Sequence, residues 1–523
     1  MKDQTLYQWF AESEKAHPDE TALEVQGVSV TYRTLCLTAL TLAERLIAVH
    51  AGVPKRVALV ASRTVAAYAG YLAIQRLGAT VVPLSPEYPQ ERNLRIARLA
   101  EVDAVIAEDA YASALVDPDA PFRPSVLSVS PFELVSDDVD ESLLPAEPTD
   151  TEAIAYILFT SGSTGRPKGV PVRQSSISAL VAYNSVRYEV GPGCRASQVF
   201  GLTFDASVWD MFVTWGAGAT LVVPSAHDLY RPVDFIVKHQ LTHWFSVPSV
   251  VTMARLMGNL PLGEAVTLKH SIFGAEPVTV QQVDLWREVA PNTRIHNVYG
   301  PTETTITCTE YELSVDRSEW AHTSNGTVPI GHEYPHVEVV ILGEDGLRAD
   351  DGELCVRGQQ RFIGYLDPAD NEDRFLLFED DGKPASTYSS GGLTDSHWYR
   401  TGDRICVENG RMLHRGRLDS QVKIMGHRVE IGEVEAALRR HPSVVEAAVI
   451  AATADGRTQL LAAFAGNPVR PTDLHHWMRK VVPLHMVPLR ISHMDALPLN
   501  DNGKVDRRRL AELLTSCHLG PFG

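Results

Sequence analysis

The segment YILFTSGSTGRPKGV, Tyr156 to Val170, runs a strand-like apolar stretch straight into a cluster of Ser, Thr and Gly that closes on Lys168. Strand ends that open into glycine-containing loops are where doubly wound α/β sheets hold ligands, so this one stretch predicts both a fold class and a site. Its chemistry is that of an anion cradle. Gly162, Gly165 and Gly169 allow close backbone approach, Thr160, Ser161, Ser163 and Thr164 supply hydroxyls and N–H donors, and Lys168 adds a positive charge. The loop departs from the Walker pattern, because Lys168 lies between Pro167 and Gly169 and no Ser or Thr follows it. A bare Gly/Ser turn would read as a flexible connector; the full string favours a polyphosphate site.

Working outward, short runs such as RVALVAS, ATVVPLS and ATLVVPS alternate with helical stretches from about Val57 to Val223, which is an α/β texture. THWFSVPS, HSIFGAE and RIHNVYG continue it, each buried-strand candidate running into polar or glycine-containing residues. A chain of 523 residues exceeds one ordinary core, and the texture changes near GRLDSQVKIMG, Gly416 to Gly426. The predicted organisation is a large N-terminal α/β domain with sheet layers over residues 1–416 and a small, mobile α+β domain over 417–523. In the latter, Gly432 to Arg440 forms a helix stopped by Pro442, and VVEAAVIAA and LLAAFAG follow as strands.

Composition narrows the function classes. Apolar content of 44% and charged content of 21% are those of a chain that folds throughout. A formal net charge of -18, with no basic stripe to offset it, argues against nucleic acid and anionic membrane as partners. Six cysteines stand singly, without a CxxC pair or a His cluster at ligand spacing, as in a reducing cytoplasmic setting. No apolar run is long enough to span a membrane or direct export.

Four further segments carry chemistry. NVYGPTETT, Asn297 to Thr305, follows an apolar strand pattern, so Tyr299 can offer a ring face to a purine with Glu303 one short turn away. FDASVWD, Phe204 to Asp210, sets Asp205 among apolar residues, where an unpaired carboxylate costs several kcal/mol and calls for a cation or a proton. The plain alternative is a helix N-cap ahead of Ala206 and Ser207. YRTGD places Asp403, and NDNGKVDR places Lys504, in turn-like settings that in isolation read as a turn former and a solvated lysine.

With VTYRTL, RLGATVVPL, GELCVRG, GRLDSQVKIMGHRVEIGEVE and VPLHMVP, these segments occur in the order found in the adenylate-forming superfamily, which the chain resembles over nearly its whole length. That superfamily includes the adenylation domains of nonribosomal peptide synthetases, the D-alanine carrier-protein ligases and, more distantly, acyl-CoA synthetases and luciferases. The resemblance implies ATP-dependent activation of a carboxylate. Under it, Tyr299 stacks on adenine, Asn297 meets the base edge, Gly300 and Thr302 belong to the nucleotide loop, and Asp403 takes the ribose hydroxyls. Glu303 with Thr160 would hold Mg²⁺, while Lys168, Arg417 and Lys504 gather positive charge where carboxylate attacks α-phosphate.

In the resembling enzymes, the aspartate at the position of Asp205 binds a substrate α-amino group. The remaining pocket positions carry over to Ala206, Trp209, Phe245, Ile272, Gly274, Val298, Ile306, Thr307 and Lys504. Between the charged ends this lining is apolar apart from Thr307, and Trp209 and Phe245 fill much of it. The expectation is a small neutral amino acid, alanine-like first, then valine or leucine. Asp419 corresponds to a hinge, and Lys423 and Gly426 to the segment that faces an incoming thiol in a second half-reaction. That thiol would be the phosphopantetheine arm of a carrier protein on another chain. His414 and Met425 depart from residues common in the superfamily. An acyl- or aryl-CoA synthetase, and a catalytically silent nucleotide-binding relative, are the competing readings.

Overall fold

The computed structural model describes residues 3–113, 123–135, 139–162, 166–379, 381–388, 392–419, 421–454, 457–499 and 505–516. The apolar run ahead of the glycine-rich loop is the strand Ile154–Thr160, and RVALVAS and ATVVPLS give Arg56–Val60 and Thr80–Leu84. They belong to a six-stranded sheet ordered Ser125–Val129, Ala104–Glu108, Arg56–Val60, Thr80–Leu84, Ile154–Thr160, Lys168–Arg173, the first five strands parallel. Ala104–Glu108 and Thr80–Leu84 are buried at every position, as parallel strands covered on both faces must be.

A nine-stranded sheet holds the other strand candidates. Arg195–Ser197, His243–Ser246, His270–Phe273 and Arg294–Tyr299 lie side by side and parallel, and Thr309–Leu313 adds antiparallel beyond them. The helices Val65–Arg76 and Ala206–Trp215 are buried along their whole length, which is the position of a helix apolar on all sides. One continuous core joins them to both sheets through residues such as Ile106, Tyr156, Phe212, Phe245 and Val298. A third, mainly antiparallel sheet is built on Val337–Leu342, Asp351–Gly358 and Trp398–Glu408, with Arg411–Arg417 paired to the last.

The chain divides into two compact units, and the division falls between Leu418 and Asp419. The second unit takes Asp419 onward together with residues 87–96 and 160–168. Its hairpin pairs Gln421–Ile424 with His427–Glu430 across Met425 (φ 49) and Gly426 (φ 81), the successive positive φ values of a tight type I′ turn. The helix expected over Gly432 to Arg440 spans Ile431–Arg439, and Val444–Ala454 pairs antiparallel with Arg457–Gly466. Val434, Leu438, Val449, Phe464 and Met478 form a core of its own. The fold is therefore α/β, with a large sheet-layered N-terminal domain and a smaller α+β C-terminal one.

One feature of the nine-stranded sheet is polar. His243, His270 and His296, from three adjacent strands, stack face to face with ring centroids 5.3 and 5.2 Å apart, and all three are buried. Burial pushes His243 down to about 4 and His270 down to about 2, so both are neutral in the folded protein. Because the unfolded histidine takes its proton near 6.5, stability held above that pH is lost as pH falls toward the folded value. Between pH 7.5 and 5.5 His243 alone should remove about 1.4 kcal/mol. Denaturant unfolding at the two pH values checks this: the acid-side loss should shrink by that amount in His243→Asn, and an unchanged loss contradicts it.

Candidate active site

Where the strand Arg294–Tyr299 ends, the chain must turn back on itself, since a Cβ on Gly300 would stand 2.7 Å from both the Ile306 carbonyl oxygen and the Thr307 Cα. The short turn Thr302–Thr304 leads into Thr305 (φ 58) and Ile306 (φ 71), two consecutive β-branched residues in the left-handed region, a conformation that costs of order 1–3 kcal/mol per residue. Gln360 holds them there. Its fully buried side-chain amide nitrogen lies 3.0, 3.1 and 2.7 Å from the carbonyls of Thr304, Thr305 and Thr307, and the Thr305 hydroxyl donates back to the Gln360 carbonyl at 2.7 Å. The same turn buries Glu303, whose Oε1 accepts from the Tyr365 hydroxyl at 2.6 Å.

Asp403 sits opposite Arg417 in the pairing of Trp398–Glu408 with Arg411–Arg417. Its carboxylate is 2% exposed and accepts from the Tyr299 hydroxyl at 2.7 Å, from His414 Nε2 at 2.9 Å and from Arg417 Nη1 at 3.1 Å. Burial, and then Asp403 itself, push the Tyr299 phenol well above its usual range, so it is a fixed donor. The departure noted at His414 is thus a substitution with a partner: its ring lies 6.0 Å from that of Tyr299 and its nitrogen on Asp403. Asn297 spends its amide nitrogen on the carbonyls of Val328 and Pro329 at 3.0 and 2.8 Å, which leaves its oxygen as the atom able to meet a base.

Asp205 is the N-cap of the helix Ala206–Trp215, its Oδ1 accepting from the Ala206 N–H at 2.8 Å, so the plain alternative raised by the sequence is realised. Capping engages Oδ1, at the N-terminal end of the helix where negative charge is favoured. From there the side chains turn apolar. Ala206 and Trp209 follow on the helix, Phe245, Ile272 and Val298 come from adjacent parallel strands, and Ile306 from the strained turn; all are buried in one cluster. Trp209 meets Phe245 edge-on at 5.1 Å. Gly274 lies so close that a Cβ there would come within 2.8 Å of Val298 Cγ2. Thr307 closes the set, its hydroxyl accepting from Tyr334 at 3.1 Å.

The loop residues Thr160, Ser161, Gly162 and Lys168 fall in the second unit. The Ser161 hydroxyl donates to the Arg428 carbonyl at 2.9 Å and accepts from the Glu430 N–H at 3.1 Å. Thr160 Oγ1 is buried and finds no hydrogen-bond partner among the described residues. Asp419 opens this unit and accepts from the Gln421 N–H at 3.2 Å, while Lys423 and Gly426 belong to the tight hairpin. Ser163, Thr164, Gly165 and Lys504 lie outside the described residues.

Several supporting residues escaped the sequence reading. Gln360, Tyr365 and Tyr334 carry no motif of their own, and only their contacts with Glu303 to Thr307 reveal them. Asp210 stood in plain view in FDASVWD: it is wholly buried, and burial pushes its carboxyl well above the usual range. The tryptophan beside it, at helical spacing from an N-cap, was the available signal. A surface cleft of about 480 Å³ between Arg357, Phe378 and Trp398 contains none of the motif residues.

The chain that carries this buried carboxylate with its three donors and this apolar cluster headed by Asp205 is an adenylate-forming enzyme. The chain belongs to the AMP-binding enzyme family: the model "AMP-binding enzyme" matches residues 10–366 and "AMP-binding enzyme C-terminal domain" matches 433–504. It is 31% identical over 521 residues to the L-proline--[L-prolyl-carrier protein] ligase of Pseudomonas fluorescens, covering 97% of this chain and 98% of that one. It is 30% identical to gramicidin S synthase 2 of Brevibacillus brevis over 98% of its own length but spans only 11% of that much longer protein. Among solved structures it resembles the Vibrio cholerae adenylation domain AlmE in complex with glycyl-adenosine-5'-phosphate, with a TM-score of 0.81, 26% identity and 98% of each chain covered.

Replacing Gln360 by alanine strips three carbonyls of the strained turn of their donor. The expected loss is about 1–3 kcal/mol, read as a lower thermal unfolding midpoint, and a midpoint equal to wild type would show that the turn holds itself.

Proposed function

We propose that the chain activates a small neutral amino acid with ATP, alanine-like first and then valine or leucine, and passes the aminoacyl group to the phosphopantetheine thiol of a separate carrier protein. The observation that carries this reading is Asp205, a carboxylate at the head of an otherwise apolar cluster, where a substrate ammonium would be the matching cation. The proline carrier-protein ligase and the glycyl-adenylate complex support amino-acid chemistry in relatives of this chain.

In the first half-reaction a substrate carboxylate oxygen attacks the α-phosphorus of ATP, a new O–P bond forms, and pyrophosphate leaves with the electron pair of the bond that breaks. Two anions must approach, so the protein's task is to collect positive charge and hold geometry. Lys168, Lys504 and Arg417 are assigned to that charge. Tyr299 and the Asn297 oxygen are assigned to adenine, the oxygen suiting its amino donor, with Gly300 and Thr302 shaping the loop. Asp403 is assigned to the ribose hydroxyls. Glu303 and Thr160 are assigned to Mg²⁺, carboxylate and hydroxyl being the hard oxygens it prefers, and when bound it would offset phosphate charge. Ala206, Trp209, Phe245, Ile272, Gly274, Val298, Ile306 and Thr307 enclose the side chain, and an apolar lining penalises a charged one. Among the described residues the cysteines are free and no helix is long and apolar enough to cross a membrane, and a cytoplasmic setting is part of the proposal.

Amino-acid-dependent ATP–pyrophosphate exchange tests the reading. Alanine, valine and leucine should exceed aspartate, lysine and arginine, and the reverse order sinks it. Asp205→Ala should lower exchange by roughly a hundred- to several-thousand-fold, the 3–5 kcal/mol of an ammonium left buried without its partner.

Asp419 is assigned as the hinge between the two half-reactions, with Lys423 and Gly426 serving the second. Asp419→Pro should leave pyrophosphate exchange near wild type and abolish transfer to a carrier thiol. Loss of both activities counts against the hinge, and efficient transfer to free CoA in its place would favour the CoA-synthetase reading.

A further inference from the structure

The stacked histidines lie directly behind the proposed substrate pocket. Side chains two apart on a strand share a face, so His243 shares one with Phe245, His270 with Ile272 and His296 with Val298. A polar layer therefore backs the apolar one. Tyr188, at the C-terminal end of the helix Gln174–Arg187, joins the two: its ring meets Trp209 at 5.7 Å, His270 at 5.8 Å and His296 at 5.0 Å, each time edge-on.

Hydrogen bonds run through this layer, although His270 Nε2 is buried without a partner among the described residues. The Tyr188 hydroxyl donates to Glu310 Oε2 at 3.1 Å, and its carbonyl accepts from His243 Nε2 at 2.7 Å. His270 Nδ1 and His296 Nε2 are 3.0 Å apart, and His296 Nδ1 is 3.0 Å from Glu310 Oε1. Arg187 bonds Glu310 at 2.5 Å and Glu312 at 2.7 Å. Burial alone would raise the Glu310 carboxyl, but His296 and Arg187 outweigh it and hold it below the usual range. His296, Glu310 and Glu312 have the mutual spacing of a metal site, yet the Arg187 guanidinium already supplies the cation between the carboxylates.

We propose that Tyr188 is a positioning residue for amino-acid selection: clamped by the Glu310–Arg187 pair and the histidine layer, it holds Trp209 against Phe245 and so fixes the depth of the substrate pocket. The inference rests on the pocket reading above and adds to it a residue that touches no substrate. Trp209 is gripped between two rings, Tyr188 behind and Phe245 beside, and neither can retreat without breaking hydrogen bonds or opening a cavity. Trimming Tyr188 gives the indole room to withdraw, and the pocket deepens without any change to its own lining.

The test is the ratio of kcat/KM for phenylalanine and leucine over alanine in pyrophosphate exchange, for wild type, Tyr188→Leu, Tyr188→Met, Tyr188→Phe and Trp209→Ala, each checked by thermal unfolding. The ratio should rise roughly tenfold or more in the Leu and Met variants. The rise should come through the KM of the amino acid, with the KM for ATP unchanged. Tyr188→Phe, which keeps the ring but loses the hydroxyl bond to Glu310, should raise the ratio less than either trimmed variant. If Trp209→Ala shifts the ratio while neither trimmed Tyr188 variant does, the inference fails and the pocket reading stands. If Trp209→Ala leaves the ratio unchanged, the pocket reading fails and takes the inference with it. A uniform loss of rate with every amino acid, the mark of a merely structural residue, also overturns it.

Discussion

Asp403 is the point at which the sheets of the large unit are tied together. Its carboxylate is almost wholly buried, which is tolerable only because Tyr299 reaches it from the nine-stranded sheet while His414 and Arg417 reach it from its own antiparallel sheet. Removing a donor would leave the buried carboxylate less well satisfied, and removing Tyr299 would also break its bond between the two sheets. The phenol proposed to face adenine, the proposed ribose ligand and the proposed phosphate cation are therefore held by each other. Preorganisation of this kind is where electrostatic catalysis draws its advantage, since no dipole has to be reoriented as charge develops.

The same logic governs the turn after Tyr299. Two β-branched residues with positive φ persist only because Gln360 binds the surrounding carbonyls, and the turn in exchange buries Glu303 and carries Ile306 and Thr307 to the pocket. Strain is thus concentrated where the proposed nucleotide loop passes into the proposed substrate wall. Asp205 shows a complementary economy: one oxygen caps the helix Ala206–Trp215 at the head of the apolar cluster.

Much of this could be read from the chain because the decisive signals are local. The strands at Arg56, Thr80, Ile154 and Arg294 follow from short buried apolar runs, and the hairpin at Met425 and Gly426 is a local turn. The residues that support the site were illegible for the opposite reason. Gln360 is more than fifty positions from the carbonyls it binds, and nothing in its neighbourhood marks it. The three histidines are separated in sequence by whole strand–helix units, so no spacing rule for His clusters could see them; parallel pairing alone brings them into one stack. The segment 160–168 likewise groups with the C-terminal unit through contacts such as Ser161 with Arg428 and Glu430, which no linear boundary near residue 416 can express.

The histidine layer also explains how a pocket can be apolar and yet rigid. Apolar side chains packed only on each other can shift by rotamer changes at modest cost, and a pocket walled by them alone would tolerate larger guests. Here the wall of Trp209, Phe245, Ile272 and Val298 rests on imidazoles and a tyrosine whose polar atoms bond Glu310, the Tyr188 carbonyl and one another, and hydrogen bonds are directional where apolar contacts are not. Because His243 and His270 are neutral, these two rings add stiffness without adding positive charge of their own behind a proposed pocket whose far end is assigned to an ammonium. Rigidity behind is what a site needs in order to discriminate by size while leaving the recognition of charge to another group, the one proposed here being Asp205.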